Sequence, residues 1–195
     1  MGDKEYWDEK FAQRSDKPLN PEGVIIDNIN YFQKGSLLDI ASGDGRNALF
    51  FLENGFRVTG VDFSLNALER LKRFAERLNH SIETQQVDLS NSNALRNIGI
   101  FDNIIINHYR LNQENLADIE NHISDNGILF ISGFGHKHKT DERIRKEDLI
   151  QPADIEILKK SFELIKYIEN KDERGFLVTY IFKKKHKDIL NVNGV

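Results

Sequence analysis

The run from Leu37 to Leu52, closing on Asp62, constrains the fold of this chain more than any other stretch. Leu37-Leu38-Asp39-Ile40 reads as a buried strand, and Ala41-Ser42-Gly43-Asp44-Gly45 as a turn. A helix starts near Arg46, and Arg57-Val58-Thr59-Gly60-Val61 is a second strand with Asp62 at its end. Strand, glycine-bearing turn, helix, strand and carboxylate, in that order, build a nucleotide-shaped crevice at the carboxyl edge of a parallel sheet. Gly43 and Gly45 let the backbone turn tightly and approach a ligand with no Cβ in the way. The helix that follows points free N–H groups at that ligand. Asp62 can accept both hydroxyls of a ribose.

Such a crevice takes a dinucleotide or S-adenosylmethionine. A dinucleotide turn wants a third glycine three residues after the second, and here that residue is Ala48, which can also serve. Asp39 is more telling. A carboxylate at the end of the first strand is badly placed against a pyrophosphate. It suits a cationic amino acid, either directly or through water. A sulfonium ligand carrying an ammonium group therefore fits better than a diphosphate, with bracing of the loop by backbone hydrogen bonds as the structural alternative for Asp39.

Leu38-Asp39-Ile40-Ala41-Ser42-Gly43-Asp44-Gly45 resembles the first motif of class I S-adenosylmethionine-dependent methyltransferases. Gly45-Arg46-Asn47-Ala48-Leu49 and Asn54 to Ser64 are similar to the tellurite-resistance group of small-molecule methyltransferases. Val87-Asp88-Leu89, Phe101 to Asn107 and Asp125 to Ile131 extend the likeness over about residues 30 to 185. The resemblance implies an α/β fold, a Rossmann-like, doubly wound seven-strand sheet, mostly parallel with an antiparallel last strand. It implies an enzyme that transfers a methyl group from S-adenosylmethionine and leaves S-adenosylhomocysteine. The family usually has glycine where this chain has Ala41, and alanine keeps the turn if its φ stays negative.

Composition bounds the rest. At 195 residues, 39% hydrophobic and 30% charged, the chain is expected to be a single domain with one substantial core. Residues 1–33 form a helical lid, 34–185 the core and 186–195 a frayed tail. The net charge of −4 gives no attraction to nucleic acid or to an anionic membrane. The absence of cysteine excludes disulfides, thiolate metal sites and a cysteine nucleophile. The polar start, Met1 to Trp7, lacks the apolar core of a signal peptide, and no apolar run reaches membrane-spanning length. A cytoplasmic monomer or homodimer is expected.

Along the chain, Lys4 to Asn30 reads as two short helices broken at Lys17 to Pro21. Ser64 caps a helix reaching Asn79, with Leu65, Leu68, Leu71, Ala75 and Leu78 as its apolar stripe. Ser81 to Val87 and Asp102 to Asn107 are the third and fourth strands. A helix over Asn112 to Ile123 precedes a fifth strand, Gly127 to Ser132. A last helix covers Glu156 to Lys160, and Phe162 to Glu169 and Phe176 to Lys183 pair as a hairpin around Asp172 to Gly175.

Further site candidates follow from position. Asp88 can accept the adenine amine while the Leu89 N–H reaches a ring nitrogen, and Phe63 packs on the adenine face; an acidic loop residue and a core aromatic are the plain alternatives. The Asn107 carbonyl is a partner for the ammonium group. His108 is the natural general base, against a purely structural hydrogen bond. Tyr109 and Arg110 line the acceptor pocket, with Arg110 suited to an anion. Trp7 folds over the site as an aromatic lid or packs in the core. His136 and His138 lack carboxylate partners, so no metal is expected. Asn107-His108-Tyr109-Arg110 differs from the motif of nucleic-acid amino-methylases, which leaves a small-molecule acceptor. A non-catalytic S-adenosylmethionine-binding protein and an NAD(P)-binding oxidoreductase are the rival readings.

Overall fold

The computed structural model describes residues 4–142 and 144–186. Seven strands form one sheet in the order β3-β2-β1-β4-β5-β7-β6. They are β1 (Ser36–Ile40), β2 (Arg57–Asp62), β3 (Glu83–Gln86), β4 (Phe101–Asn107), β5 (Ile123–Phe134), β6 (Phe162–Asp172) and β7 (Gly175–Lys184). The first five pair in parallel, and β7 runs antiparallel between β5 and β6. The expected layout, with its antiparallel last strand, is what the sheet shows.

Alternation along the strands sends side chains to two cores, as pleating requires. Leu38, Ile40, Ile104, Ile106, Leu129 and Ile131 face one side with Leu116 of α5 (Gln113–Asp118) and Ile155 of α6 (Pro152–Ile155). Leu37, Ile105, Ile128 and Phe130 face the other. There they meet α3 (Arg46–Glu53) and α4 (Leu65–Arg77) through Phe51, Leu71 and Phe74. After β1 the chain crosses to β2 on one side, and β4 pairs with β1 on the other. The crevice at this reversal is where open α/β sheets hold ligands.

Among the described residues, α1 (Lys4–Gln13), α2 (Gly23–Ile26) and a 3-10 turn (Ile29–Tyr31) precede the sheet. The helix expected to reach Ile123 stops at Asp118 and tightens to a 3-10 turn through Asn121, because β5 already starts at Ile123. The first part of β5 is irregular, with a register shift opposite Phe101 and Asn103. Around Glu156 to Lys160 the backbone is 3-10, and the α-helical turn lies just before it in α6. The stripe of α4 holds at Leu68, Leu71 and Ala75 but not at its ends, since Leu65 and Leu78 are exposed. The buried face is instead completed by Ala67, Phe74 and a charged residue, Arg70. The last strand, expected to end at Lys183, runs one residue further. Lys184 belongs to β7, and its ammonium donates to the carbonyls of Glu120 and Ile123 at 2.7 and 2.6 Å. The tail beyond His186 lies outside the described residues.

Candidate active site

A cavity of about 450 Å³ opens at the carboxyl ends of β1, β2 and β4, within the range of small-ligand sites. Of the thirteen residues singled out from sequence, all line it except Gly45. Gly45 has φ +93°, and a Cβ there would lie 2.2 Å from Leu71 Cδ1. Its glycine is required by the packing of α4 on the turn, where close approach to a ligand was expected. Gly43, at φ +55°, does face the cavity, beneath the Phe11 ring of α1.

Ala41 has φ +58°, so the condition set on an alanine turn, a negative φ, is not met. The alanine takes the left-handed turn that glycine would adopt freely, at a cost of about 1–2 kcal/mol. His108, just past β4, is also left-handed, at φ +55°. Strained non-glycine residues at the mouths of two adjacent strands belong to the pattern of functional sites.

Asp62 anchors the turn. One carboxylate oxygen accepts the Gly43 N–H at 2.9 Å and the other the Ser64 N–H at 3.0 Å. Burial nevertheless lifts its carboxyl above the usual range against those bonds. Asp39 is buried and accepts a backbone hydrogen bond from Ala48, with no cation paired to it among the described residues; burial first, then the charge of Asp62, raise its carboxyl well above the usual range, against that bond. Two acids held at this expense in a crevice mark a place for positive charge.

Asp88 is already engaged, accepting from Ser90 and paired with Lys4 of α1. The Leu89 carbonyl accepts from Asn115 at 3.0 Å. Trp7 stacks between Lys10, 4.3 Å from its ring, and Phe11. Tyr109 is half-buried, and burial with the charge of Asp62 raises its hydroxyl.

Around His108 the structure assembles a cluster that sequence reading missed. Buried Glu22 takes His108 Nε2 at 2.9 Å, Arg174 at 2.8 Å and Arg46. Burial pushes the Glu22 carboxyl up, but the bonds from His108 and Arg174 outweigh it and hold it at about 2. Arg110 forms a bidentate pair with Asp154, both bonds 2.7 Å, and donates to the Glu147 carbonyl. Its guanidinium is thus committed to the segment 147–154. The other cations on the cavity wall are paired too: Lys4 with Asp88, Arg14 with Asp44, Arg46 with Glu22 and Arg145 with Glu147. Among the described residues, three buried polar atoms of the cavity's lining residues stand without hydrogen-bond partners: Ser42 Oγ, Asn107 Oδ1 and His108 Nδ1. Among those residues no cluster of metal-ligating side chains occurs.

Comparison with known proteins agrees with this geometry. Residues 37–127 match the family model of a methyltransferase domain. Among solved structures, TehB from Haemophilus influenzae is similar in fold, with a TM-score of 0.71 at 21% identity over 92% of this chain and 67% of that one. The N-methyltransferase NodS from Bradyrhizobium japonicum, solved with S-adenosyl-L-homocysteine, gives 0.68 at 16% identity over 92% and 97%. Magnesium protoporphyrin IX methyltransferase from Synechocystis, solved with bound SAM, gives 0.61 at 14% identity over 93% and 79%. No curated protein matches in sequence. Residues 37–127 thus match a methyltransferase domain, and the seven-strand sheet has the fold of the solved methyltransferases above. Among them the chain is similar in fold to TehB, which it overlays along nearly all of its own length.

Proposed function

We propose that the chain transfers a methyl group from S-adenosylmethionine to a small-molecule acceptor at the mouth of β4. The observation that carries this reading is the acid-lined crevice at the sheet's reversal, where among the described residues no cation pairs with Asp39 and buried polar atoms of the lining have no hydrogen-bond partner. A ligand bearing ammonium and sulfonium charge relieves both. When bound, that ligand supplies an electrophilic methyl group.

The residues divide the work by position. Asp62 keeps lone pairs for the ribose hydroxyls while its backbone bonds fix it. Phe63, Asp88 and Leu89 hold the adenine, and Asp39, Ala41, Gly43 and the Asn107 carbonyl hold the amino-acid end. Trp7 closes the site from α1, making residues 1–33 a lid on the core, 34–185. Tyr109 borders the acceptor, and Arg110 shapes its pocket through the loop it ties down. His108 accepts the nucleophile's proton, oriented by Glu22 as a base is by its carboxylate partner. Alignment of nucleophile and methyl group supplies most of the acceleration, up to roughly 7–11 kcal/mol.

The acidic balance of the chain supports a small molecule over nucleic acid. No described helix is long and apolar enough to cross a membrane. A cytoplasmic monomer or homodimer is part of the same proposal. Calorimetric titration with S-adenosylmethionine, S-adenosylhomocysteine and NADH, repeated on Asp62→Ala, tests the reading. Micromolar binding of the first two, lost in the variant, is the expected result. Binding of NADH alone, or of none of the three, overturns it.

A further inference from the structure

The strand pattern sets two carboxyls side by side on one face of the sheet. Leu38 and Ile40 face the core on one side, so Asp39 between them points to the other, where α3 and α4 lie. The parallel register places Asp39 beside Gly60. Asp62 lies two residues further along β2 and therefore on the same face. Both acids line the cavity and are buried, at 2% and 5% exposure. They are not equally provided for. Asp62 accepts the N–H groups of Gly43, Phe63 and Ser64, whereas Asp39 has the N–H of Ala48 alone among the described residues. The charged groups around them bring no compensation. In the turn after β1, Asp44 is matched by Arg14 and by Arg70 of α4. Arg46, at the start of α3, is held by Glu22, which also takes His108. On the other flank, β4 sets Ile105 in register with Asp39, and Tyr109 past its end is a neutral phenol. Further out, Lys4, Arg110 and Arg145 are spent on Asp88, Asp154 and Glu147. A buried carboxyl with one hydrogen bond, a second acid on its own face and no cation is costly when charged, and takes up a proton instead.

We propose that S-adenosylmethionine and its product S-adenosylhomocysteine bind with release of a proton from Asp39. In the ligand-free protein this carboxyl carries a proton in the acid range, and it gives that proton to solvent when the ligand's ammonium group enters the crevice. The O–H bond breaks with its electron pair left on oxygen, and the carboxylate then faces the ammonium directly or through one water. A positive charge nearby favours the ionised form of an acid, so ligand and proton compete for one place. Binding therefore strengthens as pH rises through the folded value of Asp39 and weakens as pH falls below it. Asp62, with the larger share of N–H groups, is the acid of the two that stays ionised.

The proposal rests on the S-adenosylmethionine reading, and the test separates the two. The full chain is titrated calorimetrically with S-adenosylhomocysteine between about pH 5 and 7, where the ligand's α-amino group, with a free value of about 7.7–8.0, stays protonated. Cacodylate, MES and Bis-Tris buffers differ in ionisation enthalpy, so the spread of the observed heats counts the protons exchanged. About half a proton or more is expected to leave per ligand near pH 5, with affinity at least about threefold weaker there than at pH 7. In protein ¹³C-labelled at the aspartate carboxyls, the Asp39 resonance is assigned by its loss in Asp39→Asn. It is expected to titrate above the ordinary aspartate range without ligand and to stay ionised with it. Binding without proton release overturns the proposal, and so does release while the Asp39 resonance is unmoved, since another group then supplies the proton. Failure of S-adenosylhomocysteine to bind at any of these pH values overturns the underlying reading instead.

Discussion

Ala41 and Asp39 each carry an unfavourable feature at one end of β1. At φ +58° Ala41 sits where a Cβ crowds the backbone, and glycine would relieve that strain while loosening the unfolded chain. Ala41→Gly is therefore expected to stabilise the protein by about 0.5–1 kcal/mol, the strain relieved less the entropy gained by the unfolded chain. Equilibrium urea unfolding measures it, and a destabilised variant would show that the left-handed turn carries no strain. Asp39 is a larger case. Its carboxyl is raised by burial and by Asp62, so the native state binds its proton more readily than the unfolded chain. The stability associated with that proton is fully present below the unfolded value near 3.8 and is lost as pH rises through the folded value. Asp39→Asn removes the buried charge, and the ligand-free melting temperature at neutral pH is expected to rise, by about 2–4 °C for each kcal/mol gained. The same change is expected to weaken S-adenosylmethionine binding by about tenfold, the loss of one charged contact of about 1.4 kcal/mol. A variant that gains heat stability and keeps full affinity would remove Asp39 from the cofactor site.

Elements differ in how plainly the sequence announces them. The strands β1, β2 and β4 and the turn between β1 and α3 are legible because their signals are local: apolar runs, two glycines and an acid at fixed spacing. The ends of α4 are not, since Leu65 and Leu78 have helical spacing but no layer lies over them. The place of α1 is also illegible, because what fixes it is mostly polar. Arg14 reaches Asp44 at 2.8 Å, and Arg70 of α4 joins the same buried carboxylate at 3.2 Å. Arg70 also donates to the carbonyls of Arg14 and Ser15. Asp8 accepts from Asn66 at 2.9 Å. One buried acid thus fastens α1 to both α4 and the turn after β1. Asp44→Asn is expected to lose about 2–3 kcal/mol from the buried charge pairs. Limited trypsin digestion should show the loss first as faster cleavage within α1, before the sheet opens. Cleavage of all segments at one common rate would mean that α1 is not a separately fastened element.

At the scale of the whole molecule, Glu22 joins parts of the chain that no local pattern relates. It lies just before α2, and its carboxylate holds Arg46 at the start of α3, His108 past β4 and Arg174 in the turn between β6 and β7. Arg174 is 152 residues away in sequence, which is why the cluster was invisible there: β7 returns antiparallel beside β5, and that topology brings the turn before it against Glu22. The carboxyl at about 2, against 4.5 when unperturbed, gives this tie a pH signature. A depressed value means that the tie is fully present above about 4.5 and fades as pH falls toward 2, since protonation removes the charge that the cations hold. The difference corresponds to about 3 kcal/mol at the usual conversion, reduced to about 2 by solvent screening of the partly exposed arginines. Glu22→Gln should therefore destabilise the protein by about 2 kcal/mol at neutral pH. The two proteins should converge in urea stability as the pH is lowered below the unperturbed value of 4.5. A gap of the same size at both pH values would mean that Glu22 acts through packing and not through its charge. In that event the ordering of the site by the C-terminal hairpin would have to come from elsewhere, since among the described residues the bond to Glu22 is the tie that Arg174 makes outside its own turn.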